Sequence, residues 1–179
     1  MTGSQASRTA IACSAAIGLA ALAWASFAKP LPHLVYNPSN SVPVGWYRVE
    51  PLPQQPNQLR VGSTVLVHLP AEAAALAAQR GYLPLHVPLL KRVGAVPPQL
   101  VCITGQVLRI DGHTVATALS VDRMGRPLHG WPQCRRLQAG EVFLLSRTNP
   151  ASFDSRYFGP VRAANVIGIA QPLWLQEQP

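Results

Sequence analysis

Between Thr9 and Ala28 the chain carries twenty consecutive residues without a charge, rich in Ala and Leu. A helix rises about 1.5 Å per residue, so a run of this length spans a hydrocarbon layer of ~30 Å. It divides the 179 residues into a polar start, 1–8, and a body long enough to bury its own core. Three readings of the run are open. A signal-anchor helix suits its length, the interfacial Trp24 and the flanking Lys29. A cleaved signal peptide suits the small-x-small form of Ser26-Phe27-Ala28, although Pro30 stands unfavourably just beyond the cut. A buried helix of a soluble core is the third. The anchor is the expectation adopted, with the amino terminus inside and the body carried across the membrane.

Residues 29–36 then form a Pro-rich tether containing Pro30 and Pro32. The stretch from Lys29 to Ser41 reaches at most ~40 Å at ~3.4 Å per residue, which confines Ser41 to the membrane surface. The rest of the body, 37–179, reads as β-rich. Trp46 to Val49, Thr64 to His68, Leu89 to Val96, Leu100 to Thr104, Glu141 to Ser146 and Val166 to Ala170 have strand character. Gln106 to Ile110 and His113 to Ala118 flank Asp111-Gly112, the pattern of a hairpin with a two-residue turn. Residues 98–140 therefore make a hairpin-containing subdomain. Ala71 to Arg80 is one short helix, with Glu72 in its first turn and Gly81 just past its end. Pro51 to Asn57 and Asp122 to Pro132 read as loops.

The formal net charge is +8, from 15 basic and 7 acidic residues. Anionic lipid headgroups are the partner this charge suggests beside a membrane anchor. Nucleic acid is not expected, since no basic run exceeds Arg135-Arg136. Neither a metal nor another cofactor is expected, because His68 has no second His or Cys at ligand spacing. Cys13 lies in the apolar run. Cys102 and Cys134 belong to the exported body, where a disulfide persists, and a bridge is expected over two free thiols because it would staple the turn-rich 122–132 segment.

Three stretches carry chemistry. Pro38-Ser39-Asn40-Ser41-Val42-Pro43 sets two serines between prolines that keep them out of any helix interior. A serine needs a base to act as a nucleophile. Lysine serves if burial makes it neutral, and the body contains one lysine, Lys91, in the apolar setting Pro88-Leu89-Leu90-Lys91-Arg92-Val93. Its alternative is a stem lying on the core with its head in water. Last, Ser152, Asp154 and Arg156 stand at alternate positions, and in an extended segment would share one face.

Taken in order, these stretches resemble the type I signal peptidase-like serine peptidases. The Asn-x-Ser-x-Ser-x-Pro-x-Gly-x-Tyr form over 37–47, the run Arg80-Gly81-Tyr82-Leu83-Pro84 and the late Tyr157-Phe158-Gly159-Pro160 resemble the conjugative-transfer branch of that family. The resemblance covers Asn37 to about Pro172 and implies a signal peptidase-like, mainly β catalytic domain with a small β insertion. It implies Ser41 as nucleophile, Lys91 as general base and Asp154 as a further catalytic residue. Ser39 would help the Ser41 amide hold the oxyanion, Ser152 would orient Lys91, and Arg156 would brace the late loop. The implied protein is a single-pass enzyme of the bacterial inner membrane with its catalytic domain in the periplasm. It would process a membrane-bound pilin precursor or another exported peptide beside components of a conjugation apparatus, with water or the pilin's own amine resolving the acyl-enzyme. A catalytically silent component of a conjugation or type IV secretion apparatus is the alternative. One departure stands out: Pro97-Pro98-Gln99 replaces the family's Pro-Gly-Asp, which stiffens that turn and removes a carboxylate.

Overall fold

The structure is a computed structural model that describes residues 3–27, 33–52 and 59–176, with the side chains of the first helix described from 11 to 24. The chain divides into two units, 1–31 and 32–179. The first contains helix α1, Gly3–Phe27, whose described side chains are all exposed. Among the described residues no helix is long and apolar enough to cross a membrane.

The second unit is mainly β. Its elements are β1 (His33–Asn37), β2 (Gly45–Pro51), β3 (Thr64–Val67), α2 (Ala71–Gln79), β4 (Leu89–Ala95), β5 (Leu100–Thr104), β6 (Val107–Ile110), β7 (His113–Thr117), β8 (Cys134–Arg136), β9 (Glu141–Leu144), α3 (Ser155–Phe158), β10 (Val161–Arg162) and β11 (Val166–Leu175). A seven-stranded antiparallel sheet has the order β1-β2-β11-β3-β4-β9-β10, and a four-stranded sheet the order β7-β6-β5-β8. The last strand thus enters the middle of the large sheet, between β2 and β3. Gly168 permits that insertion, since a Cβ there would lie 2.3 Å from the Glu50 carbonyl oxygen.

Residues 33–36, read from sequence as tether, are strand instead: His33 to Asn37 pair in register with Val49 to Gly45. The cross-strand partners lie beyond the Ser39–Ser41 turn, so no pattern within 33–36 announced them. The Pro/Gln-rich loop at 51–57 lies, from 53 onward, outside the described residues, as do residue 28 and 29–32 of the tether. Helix α2 ends close to the expected place, where Gly81 turns the chain at φ +70° and the Tyr82 amide donates to the Ala77 carbonyl at 2.8 Å.

The insertion forms the small sheet, and Asp111 (φ 49°) and Gly112 (φ 83°) supply the two left-handed residues that a tight hairpin needs. Cys102 and Cys134 face each other across β5 and β8 and are joined in a disulfide. The unusual Pro97-Pro98-Gln99 turn closes normally, with the Gln99 amide donating to the Val96 carbonyl at 3.0 Å. Asp111 provides a carboxylate there: it accepts from the Leu100 amide at 2.8 Å and from Gln99 Nε2 at 2.9 Å.

Three apolar clusters surround the site. One joins β3, β4 and β9 through Val65, Val93 and Leu144; a second lies against the small sheet around Val101, Leu108 and Phe143. The third contains Val42, Tyr47, Leu66 and Leu90. Leu90 and Lys91 are consecutive and both buried, so β4 is covered on both faces.

Candidate active site

Ser41 lies in the turn between β1 and β2. Asn37, at the end of β1, organises that turn: its Nδ2 donates to the carbonyls of Ser39 (2.7 Å), Val42 (3.1 Å) and Pro43 (3.0 Å). The prolines leave fewer backbone donors to close the turn internally, so a buried side-chain amide does it. Tyr47 OH adds a bond to the Pro43 carbonyl at 2.7 Å. Ser146, just past β9, donates its Oγ to the Ser41 carbonyl at 2.8 Å. The Ser41 turn is therefore held at both ends by side chains from β1, from β2 and from the segment just past β9.

Lys91 is 1% exposed at the centre of β4, opposite Val65 of β3. The snorkelling alternative is excluded by that burial. Burial lowers its amine from 10.5 to about 8, Asp154 offsets part of the effect, and Arg156 adds to it. That difference disfavours the charged form by roughly 3 kcal/mol. Lys91 Nζ donates to Ser152 Oγ, and Ser152 Oγ donates to Ser41 Oγ at 3.2 Å. A protonated lysine can only donate in this chain of bonds. Loss of that proton lets both hydroxyls rotate, so that a proton can move from Ser41 toward Lys91.

The late segment is not extended throughout, as its alternate spacing suggested. Asp154 is extended (φ −151°) and caps the short α3, accepting from the Arg156 amide at 3.2 Å. A capping carboxylate satisfies a free amide of the first turn, which lets the chain leave the extended path immediately after it. The polar groups nevertheless converge. Asp154 Oδ1 accepts from Arg156 Nε at 2.8 Å, while Oδ2 accepts from Arg156 Nη2 at 2.9 Å and from the Ser146 amide at 3.0 Å. Arg156 also donates to the carbonyls of Thr117, Pro150 and Ser152. Both charges are essentially buried, and every donor is used, which is what makes burial of such a pair tolerable. Asp154 faces Arg156 and Ser146 rather than Ser41, and acts on Lys91 through its charge.

Ser39 is exposed, with its Oγ donating to Asn37 Oδ1 at 3.0 Å. Ser152 bridges Lys91 and Ser41. Sequence reasoning assigned no role to Asn37, Ser146 or Tyr47. An Asn before Pro at a strand end is a recognisable turn organiser, whereas nothing local marks Ser146. The groove over these residues has a volume of about 940 Å³ and is lined among others by Tyr36, Tyr82, Leu89 and Phe153. Among the described residues no group of His, Cys, Asp or Glu could hold a metal ion.

The family model described as signal peptidase, peptidase S26, matches residues 6–175. A conjugal transfer protein TraF from Agrobacterium tumefaciens is 35% identical over 147 residues, covering 77% of this chain and 80% of that protein. A plasmid transfer protein TraF from Escherichia coli is 30% identical over 174 residues, covering 92% of each. A crystal structure of a signal peptidase I from Enterococcus faecalis matches 62% of this chain and 94% of that one, at 19% identity and a TM-score of 0.38.

Proposed function

Because the chain belongs to the signal peptidase S26 family, we propose that it is a serine endopeptidase of the conjugation machinery, anchored in the bacterial inner membrane and facing the periplasm. The observation that carries this reading is the buried Lys91, whose amine is lowered to about 8 and is linked through Ser152 to Ser41 Oγ. Ser41 attacks the scissile carbonyl as Lys91 accepts its proton. The developing oxyanion is met by the Ser41 amide and by Ser39, whose hydroxyl turns away from Asn37 to reach it. The resulting acyl-enzyme is resolved by water or by an amine of the substrate. Asp154 and Arg156 act as positioning residues, fixing the Ser152 carbonyl and the Ser146 amide on either side of the dyad.

The names of the TraF relatives tie them to conjugal and plasmid transfer. The substrate proposed here is a membrane-held pilin precursor, with cyclisation as one outcome of aminolysis. Anchoring is supported by the uncharged run 9–28. Contact with lipid is supported by exposed apolar side chains on β1, β2 and β11: Leu34, Trp46, Leu173 and Trp174. Trp46 and Trp174 are register partners, and paired aromatic residues suit a headgroup boundary.

The test is co-expression with a pilin precursor, comparing wild type with Ser41→Ala and Lys91→Ala by the mass of the pilin. Shortening by wild type alone supports the dyad, and a product lighter by one further water indicates cyclisation. Identical processing by all three chains would sink it and favour a structural role in the apparatus.

A further inference from the structure

The run Arg80-Gly81-Tyr82 just after α2 takes no part in the dyad, yet it meets the turn 122–126 in a dense polar cluster. Asp122 is its centre. Tyr82 OH donates to Asp122 Oδ2, and Arg126 Nε donates to the same oxygen at 2.7 Å. Asp122 Oδ1 accepts from the amides of Met124 and Arg126, each at 2.9 Å. Two crossed bonds join the two segments of the cluster: Arg126 Nη2 donates to the Arg80 carbonyl at 3.1 Å, and Arg80 Nη2 donates to the Pro127 carbonyl at 2.8 Å. The Arg126 guanidinium also lies over the Tyr82 ring at 5.5 Å. Burial works to raise the Asp122 carboxyl, and the bonds from Tyr82 and Arg126 outweigh it, so the carboxyl is held well below its usual range.

The cluster ends on the active site. The Tyr82 ring packs at 5.3 Å on Phe153, the neighbour of Ser152. Phe153 stacks on Tyr157 on another side, at 5.8 Å and 9°, and meets the edge of Phe158. Tyr157 OH is itself fixed by the Leu119 amide at 2.9 Å. Among the described residues, Tyr82 is thus the one ring on Phe153 that comes from outside the 152–158 segment. Free of it, Phe153 would keep ring contacts only with Tyr157 and Phe158, and the Ser152 hydroxyl bonded to Lys91 would lose that outer support.

We propose that Tyr82, Asp122 and Arg126 form a latch that closes one wall of the groove onto Phe153 and thereby positions Ser152 over Lys91. The latch rests on the peptidase reading only for its effect on turnover. Its effect on Lys91 is a property of the folded chain alone.

The chain has only two lysines, Lys29 and Lys91, so acylation of each by a succinimidyl ester can be followed by mass spectrometry in the full-length protein. Lys91 is covered, and its labelling reports opening of the groove. Asp122→Asn weakens the latch strongly. Tyr82→Phe removes one hydroxyl, keeps the ring on Phe153 and serves if the first variant folds poorly. Labelling of Lys91 at pH 8 should be roughly tenfold faster in Asp122→Asn, the factor that loss of one charge-assisted bond produces. Tyr82→Phe should fall between that variant and wild type, and Lys29 should label at one rate in all three. Where pilin precursor is processed, kcat should fall with KM nearly unchanged. A latch that only stiffens a surface loop would lower Tm in both variants and leave the rate and pH profile of Lys91 labelling at wild-type values, and that result overturns the proposal. Failure of wild type to process the precursor, with Ser41→Ala alike, counts against the peptidase reading and leaves the labelling comparison standing.

Discussion

Cleavage is expected to follow the deprotonation of Lys91. With its amine at about 8, about a tenth of the molecules carry a neutral base at pH 7, against about three in ten thousand for an ordinary lysine, so burial raises the competent fraction about 300-fold. The quantity kcat/KM should rise roughly ninefold from pH 6 to 7 and about fivefold from 7 to 8, then level off above about 9. Mass-spectrometric progress curves on a pilin-derived peptide between pH 6 and 10 would measure this. Stability provides a second arm. The folded amine lies below the unfolded value of 10.5. The unfolded chain therefore binds more protons between about 8 and 10.5, and this group's contribution to stability rises with pH across that window. Below about 8 the full penalty of roughly 3 kcal/mol remains. Lys91→Met fills the same space without charge. It should abolish cleavage while raising Tm by at most roughly 10 °C near pH 7, less whatever the lost bond to Ser152 contributed, with the difference shrinking toward pH 10.5. A cleavage profile flat from pH 6 to 9, a midpoint near 10.5, or a Lys91→Met chain that still cleaves would each refute the reasoning.

Asp154→Ala should destabilise by about 3–5 kcal/mol, because it strands the buried Arg156 charge, and urea unfolding would read it. Replacing Asp154 and Arg156 together by apolar residues should restore part of that loss. Ser146→Ala should lower kcat with little change in KM or Tm, since it frees one end of the Ser41 turn through the Ser41 carbonyl, and steady-state kinetics with thermal melts would separate the two. Gly159→Ala should cost about 1–3 kcal/mol, for it puts a side chain at φ +74° and a Cβ 2.7 Å from the Trp131 ring, as a thermal melt would show. Reduction of Cys102–Cys134, or Cys134→Ser, should cost roughly 3–4 kcal/mol on the chain-entropy model, read as a lower midpoint in urea.

The sequence alone determined the features that depend on a few adjacent residues. Asp111-Gly112 fixed its hairpin because two consecutive residues must adopt positive φ. Gly81 marked the end of α2, and the prolines around Ser39 and Ser41 kept that stretch in a turn. The one lysine of the body, set among Leu and Val, pointed to a neutral base before any contact was known. Tertiary structure alone decided how these pieces meet. Strand β1 exists only because β2 pairs with it, and β11 occupies the centre of the sheet although it comes last in the chain. Asp154 looked like a member of an extended polar face and became a helix cap, because a carboxylate satisfies free amides wherever the local chain turns. Ser146 carries no local mark at all, yet it holds the Ser41 carbonyl across 105 positions of sequence. The amine of Lys91 reaches about 8 for the same reason: Val65 of β3 and the 152–156 segment lie far from it in sequence, and the desolvation exists only once the chain is packed around it.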